Sequence, residues 1–171
     1  MILQGHIDPI WQASHYIDAG YTLGMRDEMC RRLVLQDHED LDRYTDHQFR
    51  LWYRDGNDIL HNFLQPRDFD WLDEKGISLH RAVPGTVIPS HRDEYHAYRA
   101  RFGITDVNSI VRAVVFLEDW KPGHYLGVAD RAFTAWQAGD WVAWFGSAAH
   151  TVANLGSQDR YTMTVTGIHR L

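Results

Sequence analysis

Three stretches of this chain carry side chains that could bind a metal and an organic acid together: His91-Arg92-Asp93, His150, and Arg160-Tyr161-Thr162. An imidazole and a carboxylate two residues apart at a strand end project the same way, because side chains alternate with period two. A second imidazole from a distant strand would complete a 2-His-1-carboxylate face. That donor set holds non-haem Fe(II) and leaves coordination positions open. Arg160 follows His150 by ten residues. Its guanidinium would there clamp the far carboxylate of an organic acid bound to that metal.

A plainer reading stands beside this one. The chain has eleven His, and a lone buried imidazole is more often a hydrogen-bonded core group than a ligand. His91 and Asp93 would then be a surface pair and His150 the end of a strand. Arg160, Thr162, Thr164 and Thr166 share one parity, so their face is either solvated or lines a polar cavity. The residues alone allow both. His91-Arg92-Asp93 also spells the kinase catalytic-loop tripeptide, but Tyr98 stands where that loop needs Asn, and no Gly-rich phosphate loop is present.

The elements that must position these groups fall in two halves meeting near Gly76. Within 77–171, short strands are expected over 77–83, 87–91, 109–117, 124–128, 141–145, 151–155 and 161–168. Turn signals separate them: Pro84-Gly85, Lys121-Pro122-Gly123, Ala138-Gly139-Asp140 and Gly156-Ser157. Many short strands at this spacing predict a sandwich, barrel or jelly roll. Within 1–76, helices are expected over 26–44, on the stripe Met29, Leu33, Val34 and Leu41, and over 57–64, capped by Asn57 and stopped before Pro66. A further short helix is expected over 68–72. Tyr95, Tyr98 and Phe102 predict an amphipathic helix over 93–102, packed beside the site. The expected organisation is one domain over 1–171, with a helical N-terminal layer (1–76) on a β core (77–171).

Composition narrows the function classes. Hydrophobic residues make up 44% of 171, enough for a core. The formal charge of −6, without a basic stripe, disfavours nucleic acid as a partner. Cys30 is the only cysteine, so neither an internal disulfide nor a thiolate zinc cluster can form, and a small hydrophobe in a helix is the expected role. No apolar run nears the ~18 residues that cross a bilayer, and Met1 to Gln12 lacks a signal-peptide pattern. A cytoplasmic protein with no membrane partner is expected. Trp120, Trp136, Trp141 and Trp144 read as core and rim.

At these residues the chain resembles the iron(II)- and 2-oxoglutarate-dependent oxygenases, within them the prolyl-hydroxylase-like branch. The resemblance spans 77–168 and rests on Pro84-Gly85, the H-x-D of His91 and Asp93, the Gly139-Asp140 turn, His150, and the R-x-T of Arg160 and Thr162. It implies a mainly β fold, a double-stranded β-helix or distorted jelly roll, with Fe(II) held by His91, Asp93 and His150. It implies that Arg160 pairs with the C5 carboxylate of 2-oxoglutarate and that Thr162 hydrogen-bonds the same group. O2 and 2-oxoglutarate would be consumed, with succinate and CO2 formed as a C–H bond is hydroxylated. A carboxylate at Asp93 favours hydroxylation over halogenation, which needs a small residue there. The chain departs from the family in offering no Tyr on the strand 111–117, and in supplying His80 and Arg81 where relatives often have a Tyr.

Three further residues are weaker candidates for substrate contact or for support of the ligands. Arg81 shares parity with Ile77, Leu79 and Val83 and points either into the cavity or to an ion pair. Tyr95 opens the helix beside the site, and His124 lines the site mouth or faces solvent. The substrate is expected to be a protein or peptide side chain such as proline, or a free amino acid or other small metabolite. The rival class is a cupin-like metalloprotein, a zinc or iron hydrolase, isomerase or sensor, without 2-oxoglutarate chemistry.

Overall fold

The structure, a computed structural model, describes residues 1–23 and 51–169. The helix expected over 26–44, with Cys30, lies outside the described residues.

Two antiparallel sheets form the described molecule. The strands are β1 (Ile2–His6), β2 (Thr22–Leu23), β3 (Leu51–Asp55), β4 (Leu72–Ala82), β5 (Val87–His91), β6 (Ile110–Phe116), β7 (His124–Val128), β8 (Arg131–Phe133), β9 (Asp140–Phe145), β10 (His150–Asn154) and β11 (Arg160–His169). The larger sheet runs β1-β9-β6-β11-β4-β3-β2, the smaller β5-β10-β7-β8. From β4 onward the chain passes back and forth between the two sheets. That winding is a double-stranded β-helix, so the molecule is mainly β and a jelly roll. No described helix is long and apolar enough to cross a membrane.

Alternation along β6 shows why the sheets stack. Val111, Ala113 and Val115 are buried in a core cluster with Trp11, Tyr16, Phe63 and Phe69 from the N-terminal segments. Val114 and Phe116, of opposite parity, pack with Leu126, Val128 and Trp144 in a second cluster. The central strand is therefore buried on both faces, which explains a near-continuous apolar run. Arg112 lies on the inner face with Val114 and Phe116. It interrupts that run.

The N-terminal region differs most from expectation. β1, β2 and β3 extend the larger sheet, and the described helical content before β4 is α1 (Ala13–Ile17) with a 3-10 helix, Asn57–Asn62. The latter replaces the α-helix expected over 57–64. Asn57 does not cap it; its Oδ1 accepts from the Ile77 amide at 2.9 Å. The helix expected over 68–72 is a run of turns, with Phe69 at φ 52°. Gly76 marks no boundary, because β4 begins at Leu72 and continues through it. A Cβ there would meet Asn57 Oδ1 at 3.2 Å, so the side chain of Asn57 occupies the space a side chain at 76 would need. In the second half the strands sit within a few residues of expectation. β5 and β7 coincide with it, and β8 is additional. The helix expected over 93–102 is shorter: α2 (His96–Phe102) starts after Tyr95, whose φ of 52° turns the chain.

Candidate metal centre

β5 and β10 are neighbours in the smaller sheet, and their register sets His91 directly opposite His150. The two rings therefore lie 4.2 Å apart between centroids. Each ring points its Nδ1 at a backbone carbonyl two residues earlier: His91 at Pro89, 3.0 Å, and His150 at Ala148, 3.1 Å. A carbonyl only accepts, so both Nδ1 atoms carry the proton and both Nε2 atoms present lone pairs. Metal-binding imidazoles are commonly fixed in this way. Burial, with His91 adjacent, pushes the His150 imidazole down to about 3. Its ring is neutral at pH 7, the form that ligates a cation.

Asp93 completes the group, but not through strand alternation. β5 ends at His91, and Asp93 stands beyond it in a loop. Ser147 Oγ donates to its main-chain carbonyl at 2.7 Å, and Arg112 Nη1 donates to its Oδ2. Its oxygens face His150 Nε2 at 3.4 Å and His91 Nε2 at 3.9 Å. Burial opposes the charged form, but the Arg112 guanidinium beside it outweighs this and holds the carboxyl below the usual range. Ligand atoms of all three residues lie within 4.8 Å of one another. Two imidazoles presenting Nε2 and one carboxylate fit a divalent metal.

These imidazoles open onto a cavity between the sheets, with about 530 Å³ of space between atoms counted out to its mouth. Arg160, Thr162 and Thr164 line it from β11. The face of undecided parity thus lines the cavity rather than facing solvent, with Arg160 only 3% exposed. Its guanidinium lies 5.6 Å from the Trp136 ring and 5.9 Å from that of Phe116. Its Nε and Nη2 have no partner among the described residues. Burial draws it down to about 10, so it stays cationic at pH 7. A buried guanidinium with idle donors is costly unless an anion meets it.

Arg160 is placed by the turn before it. Asn154, fully buried, donates through Nδ2 to the carbonyls of Ala82 (2.7 Å) and Gln158 (2.8 Å) and accepts from the Gly156 amide at 3.1 Å. That one amide ties β4, the end of β10 and the segment entering β11. Gly123, at φ +91°, packs so closely on Gly156 that a Cβ would lie 2.2 Å from its nitrogen.

Arg112, which escaped the sequence reading, and His80, noted there only as a departure from the family, both line the cavity. The signal for Arg112 was a lone cation in an apolar strand. His80 shares parity with Ser78, whose hydroxyl lies 2.9 Å from His80 Nε2. Burial first, and Arg112 and Arg160 next, push its imidazole down to about 3.

The weaker candidates are scattered. Arg81 is not on the cavity wall; it pairs with Asp159 at 2.6 Å. Its parity partners Ile77 and Leu79 belong to the outer core, so the same alternation that suggested the cavity turns it away. Tyr95 is not on the cavity wall; the Arg112 guanidinium lies 5.2 Å over its ring. His124 is buried, with Nε2 3.2 Å from the Gln158 carbonyl, and so faces neither solvent nor the imidazole pair.

No protein-family model and no curated protein matches the chain. Solved structures do. A prolyl-4-hydroxylase from Pseudomonas putida is 17% identical, with 99% of this chain and 92% of that chain covered and a TM-score of 0.47. A predicted oxalate decarboxylase from Thermotoga maritima is 12% identical over 69% of this chain and 80% of that one, at 0.41. The Cnp3 cupin domain from Schizosaccharomyces pombe is 10% identical over 74% and 66%, at 0.42. Likeness at this level concerns the fold alone. The case for function rests on the residues of this chain.

Proposed function

We propose that this protein is a cytoplasmic Fe(II)- and 2-oxoglutarate-dependent oxygenase that hydroxylates a C–H bond of an amino acid, free or within a peptide. The observation that carries this reading is Arg160: a buried guanidinium with idle donors, in the cavity that the imidazoles of His91 and His150 also line. A metal centre alone has no need of it.

His91, Asp93 and His150 would hold the metal. Bound there, Fe(II) would supply, with 2-oxoglutarate and O2, the oxidising power that inserts one oxygen atom into the substrate and leaves succinate and CO2. Arg160 would accept the distal carboxylate of the cosubstrate in a charge-assisted pair, which Lys could match less well in geometry. Thr162 and Thr164 offer hydroxyls beside it. Ile88, Leu126 and Val152 add apolar lining, which would strengthen such an ion pair by lowering the local dielectric.

Anaerobic titration of Fe(II)-loaded protein with 2-oxoglutarate, followed by O2 and a succinate assay, tests the reading. A visible charge-transfer band and slow succinate release are expected in the wild type. Arg160→Ala should weaken cosubstrate binding by ~3–5 kcal/mol, the penalty for breaking a buried pair. Metal uptake with neither band nor succinate would favour the cupin-like metalloprotein without 2-oxoglutarate chemistry.

A further inference from the structure

The cavity carries one positive charge more than the proposed metal and cosubstrate use, and we infer that Arg112 is the seat for a carboxylate on the substrate. This rests on the oxygenase reading, since the count takes in a divalent metal and a dianionic cosubstrate. Arg112 and Arg160 bring two positive charges to the cavity, the metal two more, and Asp93 one negative charge. Cosubstrate neutralises two of the remaining three. Among the described residues, no other acid makes up the last one. Glu118 is held by Lys121 at 2.6 Å, and Asp159 by Arg81. His80 is neutral at pH 7, and His91 and His150, each donating through Nδ1 to a carbonyl, add no charge as Nε2 ligands. An uncompensated charge in a buried, apolar-walled site is unfavourable, and an anion relieves it.

Arg112 is built to receive that anion. Its Nη1 holds Asp93, its face lies on Tyr95, and its buried Nε has no partner among the described residues. A guanidinium has five N–H donors, so holding Asp93 leaves capacity for a second carboxylate. Because Arg112 touches Asp93, a carboxylate seated on it lies next to the proposed metal. The carbon skeleton attached to it then lies within the cavity. An internal peptide proline has no carboxylate to offer. The inference therefore favours a free amino acid or small organic acid, and an acidic peptide side chain is the other source of the same group.

Zn(II)-loaded protein saturated with 2-oxoglutarate provides the test, because zinc does not turn over and binding is read by calorimetry. The probes are acetate, L-proline, L-leucine and L-aspartate against acetamide, L-prolinamide and L-leucinamide, plus an N-acetylated, C-amidated peptide with one central Asp. Acids should bind at least ~10-fold tighter than their amides, the scale of a charge-assisted pair. In Arg112→Gln protein that keeps its zinc, that preference should vanish while 2-oxoglutarate affinity changes less than ~3-fold. Arg112→Lys should restore part of it. Tighter binding of the Asp peptide than of every free acid would support the carboxylate seat and assign it to a peptide side chain. Acids no tighter than amides in the wild type would overturn the inference, as would loss of 2-oxoglutarate binding in Arg112→Gln protein that keeps its zinc. Failure of wild-type protein to bind 2-oxoglutarate at all would instead sink the oxygenase reading beneath it.

Discussion

His80 and His150 are each pushed down to about 3 by burial, and that couples the site to acid stability. An unfolded His titrates near 6.5, so between pH ~6.5 and ~3 the unfolded chain binds protons that the native site refuses. Stability therefore rises with pH across that window and is level above it, with ~1.4 kcal/mol per pH unit for each such group. Asp93, held low, acts in the same direction, because its stabilisation is lost as acid protonates it. Urea midpoints of metal-free protein should fall steeply below pH ~6.5. His80→Asn should reduce that slope by about one proton; an unchanged slope would show that His80 is not held neutral. Legibility at this scale followed residue type. His91, Asp93, His150 and Arg160 stand out by chemistry and spacing, and the structure brings the first three within ligand distance of one another. Arg112 and His80 share a wall with Arg160, yet the strand pairing that unites them is invisible along the chain.

At the scale of elements, the register of β5 on β10 sets the imidazoles opposite one another, and the turn into β11 sets Arg160. Asn154 governs that turn through three hydrogen bonds. Asn154→Ala should cost ~1–3 kcal/mol by leaving buried carbonyls unsatisfied. It should also weaken 2-oxoglutarate binding more than metal binding, since the imidazoles lie at the other end of β10. Thermal melts and parallel metal and cosubstrate titrations would check this. An equal loss of both would assign Asn154 a general stabilising role. Most second-half strands were legible because Gly or Pro turns bound them, and β6 was legible as a β-branched apolar run. β1 and β3 were not. Ile2–His6 and Leu51–Asp55 are short, and their strand character comes from pairing with β9 and β4, a tertiary override of weak local preference.

For the whole molecule, the candidate metal ligands His91, Asp93 and His150 join the end of β5 and the loop after it to the start of β10, closing a long stretch of chain. Metal bound only by the native state should stabilise it by ~2.7 kcal/mol at a hundredfold excess over Kd. Addition of a chelator should lower Tm, and His91→Ala should show a low Tm that no longer responds to metal or chelator. A Tm in wild-type protein indifferent to both would argue that no metal binds there. By itself, the sequence determined the period-two strands, the glycine turns between them and the residues able to ligate metal, because these depend on neighbours a few positions apart. Only the tertiary structure decided that Arg160 faces a cavity and Arg81 does not, that Asp93 is held by Arg112, and that the N-terminal segments add strands to the larger sheet. Those outcomes depend on which strands pair and in what register, contacts between residues tens of positions apart that no local pattern encodes.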